Sequence, residues 1–207
     1  MRSDGCANDQ SDGALFMRAR KGDLASFDVL YRRHYGRMMN YSATLTGDRT
    51  LAEDITQVAF VRAYANIHRI RDGQALEAWL YRTIANLVKD QAKAAQRKPV
   101  RTFTELSDEG DGPVENALPM VGRSPANPAD TVEAAARDRA LREAIAALPL
   151  RDREAIVLHH LERLDLVRIG QILHIPVGTV KSRLGRARAR LRDAMMPWFD
   201  FDSDAAP

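Results

Sequence analysis

The stretch Asp165-Leu166-Val167-Arg168-Ile169-Gly170-Gln171-Ile172-Leu173-His174-Ile175-Pro176-Val177-Gly178-Thr179-Val180-Lys181-Ser182-Arg183-Leu184 is patterned as two helices joined by a tight turn. Asp165 has the side chain to cap a short helix running to Leu173, along which Leu166, Ile169, Gly170 and Leu173 are spaced to pack inward. His174-Ile175-Pro176 turns the chain, and a second helix starts near Val177. Gly170 offers no side chain where the two helices would cross closely. A short helix, a tight turn and a longer helix is the order of a helix-turn-helix unit.

Along the second helix Val180, Leu184, Ala187 and Leu191 keep an inward stripe, while Lys181, Arg183, Arg186, Arg188, Arg190 and Arg192 place cations on the rest with no Asp or Glu among them. Such a run either lies solvated or lies along an anion; the turn before it and the absence of interleaved acid favour DNA. Lysine and arginine contact phosphates, and side chains near the start of the helix reach base edges in the major groove. Thr179, Lys181, Ser182, Arg183 and Arg186 are best placed for this, with Arg188 following on the same cationic run.

Upstream, Pro149 opens a helix, and the stripes Leu141, Ile145, Leu148 and Ile156, Val157, His160, Leu161 extend a helical block over about 131–196. Before it, Pro99, Pro113, Pro119, Pro125 and Pro128 interrupt any helix, and Glu105, Asp108, Glu109, Asp111 and Glu115 make the middle acidic. This linker, 99–130, is either a flexible solvated tether or an acidic strand seated in a basic groove of a partner; composition does not choose between them. A first helical block runs over 14–98, with breaks at Gly22-Asp23, Thr46-Gly47-Asp48 and Arg71-Asp72-Gly73 that divide it into three or four packed helices and leave an exposed loop before Trp79. Tails at 1–13, expected to be disordered, and at 197–207 complete the chain.

The expected fold is therefore all-α, with two helical domains. Aromatic residues make up only 6% of the 207, and strand-like alternation is hard to find. A net charge of +3 hides a clustered distribution of basic residues, which points to a polyanionic partner. Cys6 has no second thiol to pair with, which excludes an internal disulfide and a cysteine-based zinc site and fits a reducing compartment. No run approaches the length of a membrane span, and Asp4, Asp9 and Asp12 depart from a signal-peptide pattern, so a cytoplasmic protein without membrane insertion is expected. The carboxylates fall on exposed helical faces, and of five histidines only His159-His160 are adjacent, with side chains about 100° apart on a helix. No enzyme, cofactor or metal site is expected.

In the first block Glu53, Asp54 and Gln57 share a helical face beside Phe60, a polar patch bordering an apolar one; taken alone it reads as a solvated helix. Trp79-Leu80-Tyr81-Arg82-Thr83-Ile84-Ala85-Asn86, followed by Lys89, Lys93, Arg97 and Lys98, combines aromatics with a cationic helix, which suits an unstacked single strand. Trp79 and Leu80 belong mainly to the core, whereas Asn86 and the basic residues face nucleic acid.

Ala147-Leu148-Pro149 with Arg153-Glu154, then the run Ile175 to Leu184 and Arg186-Ala187-Arg188, closely resembles region 4 of extracytoplasmic-function sigma factors. Ala52-Glu53-Asp54-Ile55-Thr56-Gln57 with Phe60 and Ala63-Tyr64 resembles their region 2.2, and the stretch from Trp79 to Asn86 resembles regions 2.3 and 2.4, in the order that family requires. The resemblance implies that the second helix of the turn reads the minus-35 promoter element. It implies that Glu53, Asp54, Gln57 and Phe60 dock on the clamp of core RNA polymerase, and that the C-terminal domain meets its flap. Trp79, Arg82, Asn86, Lys89 and Lys93 would hold the melted minus-10 element, with a flipped base beside the loop at about Asn66 to Ala75. An anti-sigma factor is an implied partner. Three positions depart from the family: His174 where glycine is frequent in the turn, Gly185 where a bulkier residue is frequent, and Val58 where Glu is usual. Two other readings stand beside this one. A sigma-like decoy for an anti-sigma factor would normally carry a receiver domain and has no use for a cationic recognition helix; a plain helix-turn-helix regulator would show no polymerase dependence of promoter opening.

Overall fold

Side-chain caps decide where several of the helices begin. In the computed structural model, which describes residues 11–97 and 128–198, Ser11 accepts the Ala14 amide at 3.2 Å and starts α1, Asp12–Arg20. Asp23 accepts the amides of Ala25 and Ser26 at 3.0 and 3.3 Å and starts α2, Leu24–Thr46. Gly47, at φ 72°, ends α2 in the left-handed conformation that glycine adopts without strain. Asp48 then accepts the Leu51 amide at 3.0 Å to start α3, Arg49–Ala65. After the turn Ile67–Arg69, α4 runs from Gly73 to Arg97. A Cβ at Gly73 would lie 2.7 Å from the Asp12 carbonyl oxygen, so glycine is what lets the starts of α1 and α4 touch. The three expected breaks all fall between helices, and the block holds four of the three or four helices expected.

Helix α5, Pro128–Ala147, begins three residues before the expected boundary, because proline at a first helical position lacks only an N–H the helix does not use there. It is followed by α6, Leu150–His160, α7, Leu166–Leu173, and α8, Val177–Met195. The described residues contain helices and no strand, as the all-α reading requires. The linker lies outside the described residues except for its last three positions, which open α5; the tails also lie outside except for 11–13, where α1 already begins, and 197–198.

The core of the N-terminal unit is built from Phe16, Leu30, Met38, Tyr41, Leu80, Tyr81 and Ile84, all fully buried. Each such side chain contributes roughly 1.5–3 kcal/mol through burial. The two units are not separate bodies: α4 packs on α7, and α2 packs on α5 and α6. Their seam is rich in charge. Lys89 Nζ lies 2.8 Å from Oε1 of Glu154, whose side chain is wholly buried. The Tyr81 hydroxyl donates to Glu162 Oε2 at 2.6 Å, and Arg37 Nε lies 3.6 Å from the same oxygen. Arg153 donates to the Leu45 carbonyl at 2.6 Å, and also to the carbonyls of Ala146 and Leu148.

Burial raises the Glu154 carboxyl above its ordinary value, against the opposing pull of the Lys89 ammonium. A group that holds its proton more tightly when folded contributes stability that is fully present below its unfolded value of 4.5 and is lost as pH rises through the raised folded value. Glu154→Gln lacks that loss. Its melting temperature relative to the native chain is therefore expected to be higher at about pH 7.5 than at about pH 4.5, in paired thermal melts. An equal difference at the two pH values would contradict the burial effect.

Candidate nucleic-acid interface

The helix-turn-helix forms as its residues dictate. Asp165 accepts the Arg168 amide at 2.7 Å and caps α7. His174 takes the left-handed conformation at φ 53° that ends it, doing the work of the glycine frequent at this place. The Ile175 amide donates back to the Gly170 carbonyl at 3.0 Å, closing the turn. In α8, Val180, Leu184 and Ala187 are buried, and Gly178, Lys181, Ser182, Gly185, Arg188 and Arg192 line the exposed side.

The cations of α8 are not equivalent, although helical spacing alone makes them look so. Lys181 and Arg188 project outward. Arg186 and Arg190, one turn apart, converge on the buried carboxylate of Asp152 from α6: Arg186 Nη2 lies 3.0 Å from Oδ1, and Arg190 Nη1 lies 2.9 Å from Oδ2. Both guanidinium groups remain about half exposed, so Asp152 orients them without removing them from the surface. Arg183 leans the same way, 3.4 Å from the Arg151 carbonyl. Thr179 is half-buried, and Ser182 Oγ donates to the Thr179 carbonyl at 2.9 Å.

On the N-terminal unit, Glu53, Asp54 and Gln57 are exposed along α3, and Asp54 and Gln57 line a shallow groove with Val58, Val61 and Arg62. Phe60 is not on this surface. It is 3% exposed and meets Tyr31 edge-on at 4.8 Å between ring centres, so it supports the patch from beneath. Along α4, Asn86 and Lys93 are exposed and Trp79 is half-buried against the core. Arg82 and Lys89 are engaged elsewhere: Arg82 donates to the carbonyls of Ile172 and Gln171 at 3.2 and 3.0 Å, and Lys89 pairs with Glu154. The segment before Trp79 is shorter and better anchored than expected. Ala75 already belongs to α4, its amide bound by Asp72 at 2.8 Å, and Ile67 and Ile70 are buried; His68, Arg69 and Arg71 are exposed. The His159 and His160 rings meet at 4.8 Å rather than diverging, and His159 Nδ1 lies 3.0 Å from the Leu164 carbonyl. Among the described residues no helix is long and apolar enough to cross a membrane.

The sigma-70 region 2 profile matches residues 30–98, and the sigma-70 region 4 profile matches residues 138–191. The ECF RNA polymerase sigma factor SigW of Bacillus subtilis is 32% identical over 178 residues, covering 84% of this chain and 91% of that protein. The chain belongs to the extracytoplasmic-function sigma factors. The RNA polymerase sigma-H factor of Pseudomonas aeruginosa is 30% identical, covering 91% of the chain and 95% of that protein. The fold is shared with CnrH, solved in complex with the cytosolic domain of CnrY, at TM-score 0.62 and 21% identity over 90% of this chain and 97% of that one. It is shared also with the sigma factor RpoE from Bartonella quintana, solved with the anti-sigma factor NepR, at TM-score 0.61 and 20% identity over 82% of this chain and 96% of that one. In this sigma factor α2 to α4 therefore carry region 2, and region 4 takes in the second half of α5, all of α6 and α7, and α8 as far as Leu191. Helix α1 precedes the matched span yet sends Phe16 into the same core.

Proposed function

We propose that this sigma factor binds core RNA polymerase and directs initiation at promoters with minus-10 and minus-35 elements. The observation that carries the proposal is α8, which follows the capped helix α7 and its tight turn and offers duplex DNA an exposed face flanked by cations. Thr179, Lys181, Ser182, Arg183 and Arg186 sit along the part of the helix from which base edges are within reach, and Arg188 extends the cationic flank along the phosphates. Gly185 adds no base contact.

Region 2 does the melting. Asn86 and Lys93 face the strand, the half-buried Trp79 borders them, and Arg82 and Lys89 join them once they leave their partners on region 4. Glu53, Asp54 and Gln57 dock on the clamp with Phe60 as their support, and region 4 meets the flap. Domain spans of 14–98 and 131–196, with a tether at 99–130 and tails at 1–13 and 197–207, serve this division. The polymerase makes the bonds, so the sigma factor needs no catalytic group or cofactor of its own and works in the cytoplasm, where the polymerase is. An anti-sigma factor as regulator is supported by RpoE, which was solved with one.

Asp54→Ala tests the docking surface. It is expected to weaken association with core polymerase by roughly 1–2 kcal/mol, about tenfold, while leaving duplex binding by the chain alone intact. Biolayer interferometry with each ligand in turn reads both. Undiminished polymerase binding would remove Asp54 from the surface.

A further inference from the structure

A carboxylate from another helix divides the cations of α8 into two groups. Asp152 lies in the first turn of α6 and is 4% exposed. Arg186 meets it side-on, with Nε 3.4 Å from Oδ2 and Nη2 3.0 Å from Oδ1, and Arg190 Nη1 reaches the same Oδ2 at 2.9 Å. Lys181 and Arg188 stay on the exposed outer side. The side-on hold occupies the Nε edge of Arg186 and leaves its Nη1–Nη2 edge free. That edge offers the paired N–H donors that match O6 and N7 of guanine in the major groove. A guanidinium on an untethered chain turns to the nearest phosphate, which every sequence offers. One tied through Nε keeps its direction, and its free edge is satisfied where a base acceptor stands in front of it. The carboxylate also cancels charge: two guanidinium groups less one carboxylate leave a single positive charge in the cluster. Sequence-independent affinity follows the cations free to displace counterions from phosphates, so the cluster gives up part of that affinity and keeps the base contact.

We propose that Asp152 is a specificity-determining residue of the upstream DNA interface: it withholds Arg186 and Arg190 from phosphates and points the free edge of Arg186 at a guanine. The proposal rests on the reading of α8 as the helix that enters the major groove. Asp152 acts through the two arginines and is a positioning residue. Its effect falls on the wrong sequences, because discrimination is a difference between affinities and weaker binding to sequence-independent phosphate raises it as surely as a new base contact does.

The test uses the full chain and a pool of duplexes randomised over one helical turn, from which the bound fraction is sequenced. Fluorescence anisotropy against a mixed-sequence duplex, at several salt concentrations, reads the sequence-independent affinity. Asp152→Asn keeps an acceptor for Arg186 and removes the charge, so mixed-sequence affinity is expected to rise about threefold and its salt dependence to steepen by roughly one counterion. Asp152→Ala removes the hold as well, and the enrichment of guanine at one position of the pool is expected to fall by about tenfold. In an Arg186→Ala background Asp152→Ala is expected to leave the remaining enrichment as it is, because the arginine through which it acts is gone. Equal loss of binding to every sequence, with guanine enrichment kept, would make Asp152 a support of the fold alone and overturns the proposal. Arg190→Gln, at an exposed position, decides the matter if the Asp152 variants do not fold. Guanine enrichment is then expected to stay and mixed-sequence affinity to change by less than about twofold; a larger fall would make Arg190 a phosphate ligand and overturns the proposal. Enrichment by the native chain that Arg186→Ala leaves unchanged keeps the reading of α8 and overturns the proposal. A native chain that enriches no sequence overturns both.

Discussion

Gly170→Val is expected to dismantle the helix-turn-helix. A Cβ at this position would lie 2.9 Å from the Ile175 carbonyl oxygen, a backbone atom inside the turn, and within 3.9 Å of the Val177 and Val180 side chains. Backbone cannot give way there without cost. The same turn is closed by the Ile175 amide on the Gly170 carbonyl, and His174 already occupies the left-handed region. Overpacking of this kind costs roughly 1–3 kcal/mol, and valine brings two further methyl groups to the same place. A unit as small as α5 to α8 has little stability to spare. The expected result is a lower urea midpoint and loss of duplex binding. A midpoint equal to that of the native chain would show that α7 and α8 do not approach as closely as the structure has them.

Arg186→Ala is expected to weaken binding to upstream duplex by roughly 1–3 kcal/mol and to relax its sequence preference. The carboxylate of Asp152 holds the guanidinium at a fixed place on the helix flank, so part of the side-chain entropy that binding would cost is already lost in the free protein. Removing the arginine leaves Asp152 to Arg190 alone. Asp152→Asn separates the two effects, since it keeps an acceptor for Arg186 and removes the charge. Titrations against cognate and scrambled duplexes check the prediction, and an unchanged preference takes Arg186 out of base readout.

The local features of this fold were legible because their causes are local. Asp23, Asp48 and Asp165 cap helices through amides two or three residues away, and Gly47 reverses the chain on its own φ. The inward stripe of α8 follows from helical spacing in the same way. Long-range partners were not legible. The run of cations in α8 looked uniform until Asp152, more than thirty residues earlier, took two of them. Lys89 and Arg82 read as free basic residues, and nothing near them in sequence announces Glu154 or the end of α7. Phe60 read as part of a surface because its neighbours Asp54 and Gln57 are on one; the rings of Tyr31 and Tyr35, from another helix, are what draw it inward. His174 shows the opposite case, a residue that departs from the frequent glycine and still adopts the conformation the turn requires.

As a sigma factor the chain is expected to give core RNA polymerase a promoter preference. Run-off transcription with purified core polymerase, the purified chain and fragments of the host genome, with the 5′ ends of the products sequenced, tests it most directly. Start sites that appear only when the chain is present and that share two upstream elements at a fixed spacing are the expected result. Polymerase that binds the chain and yields no such starts would contradict it.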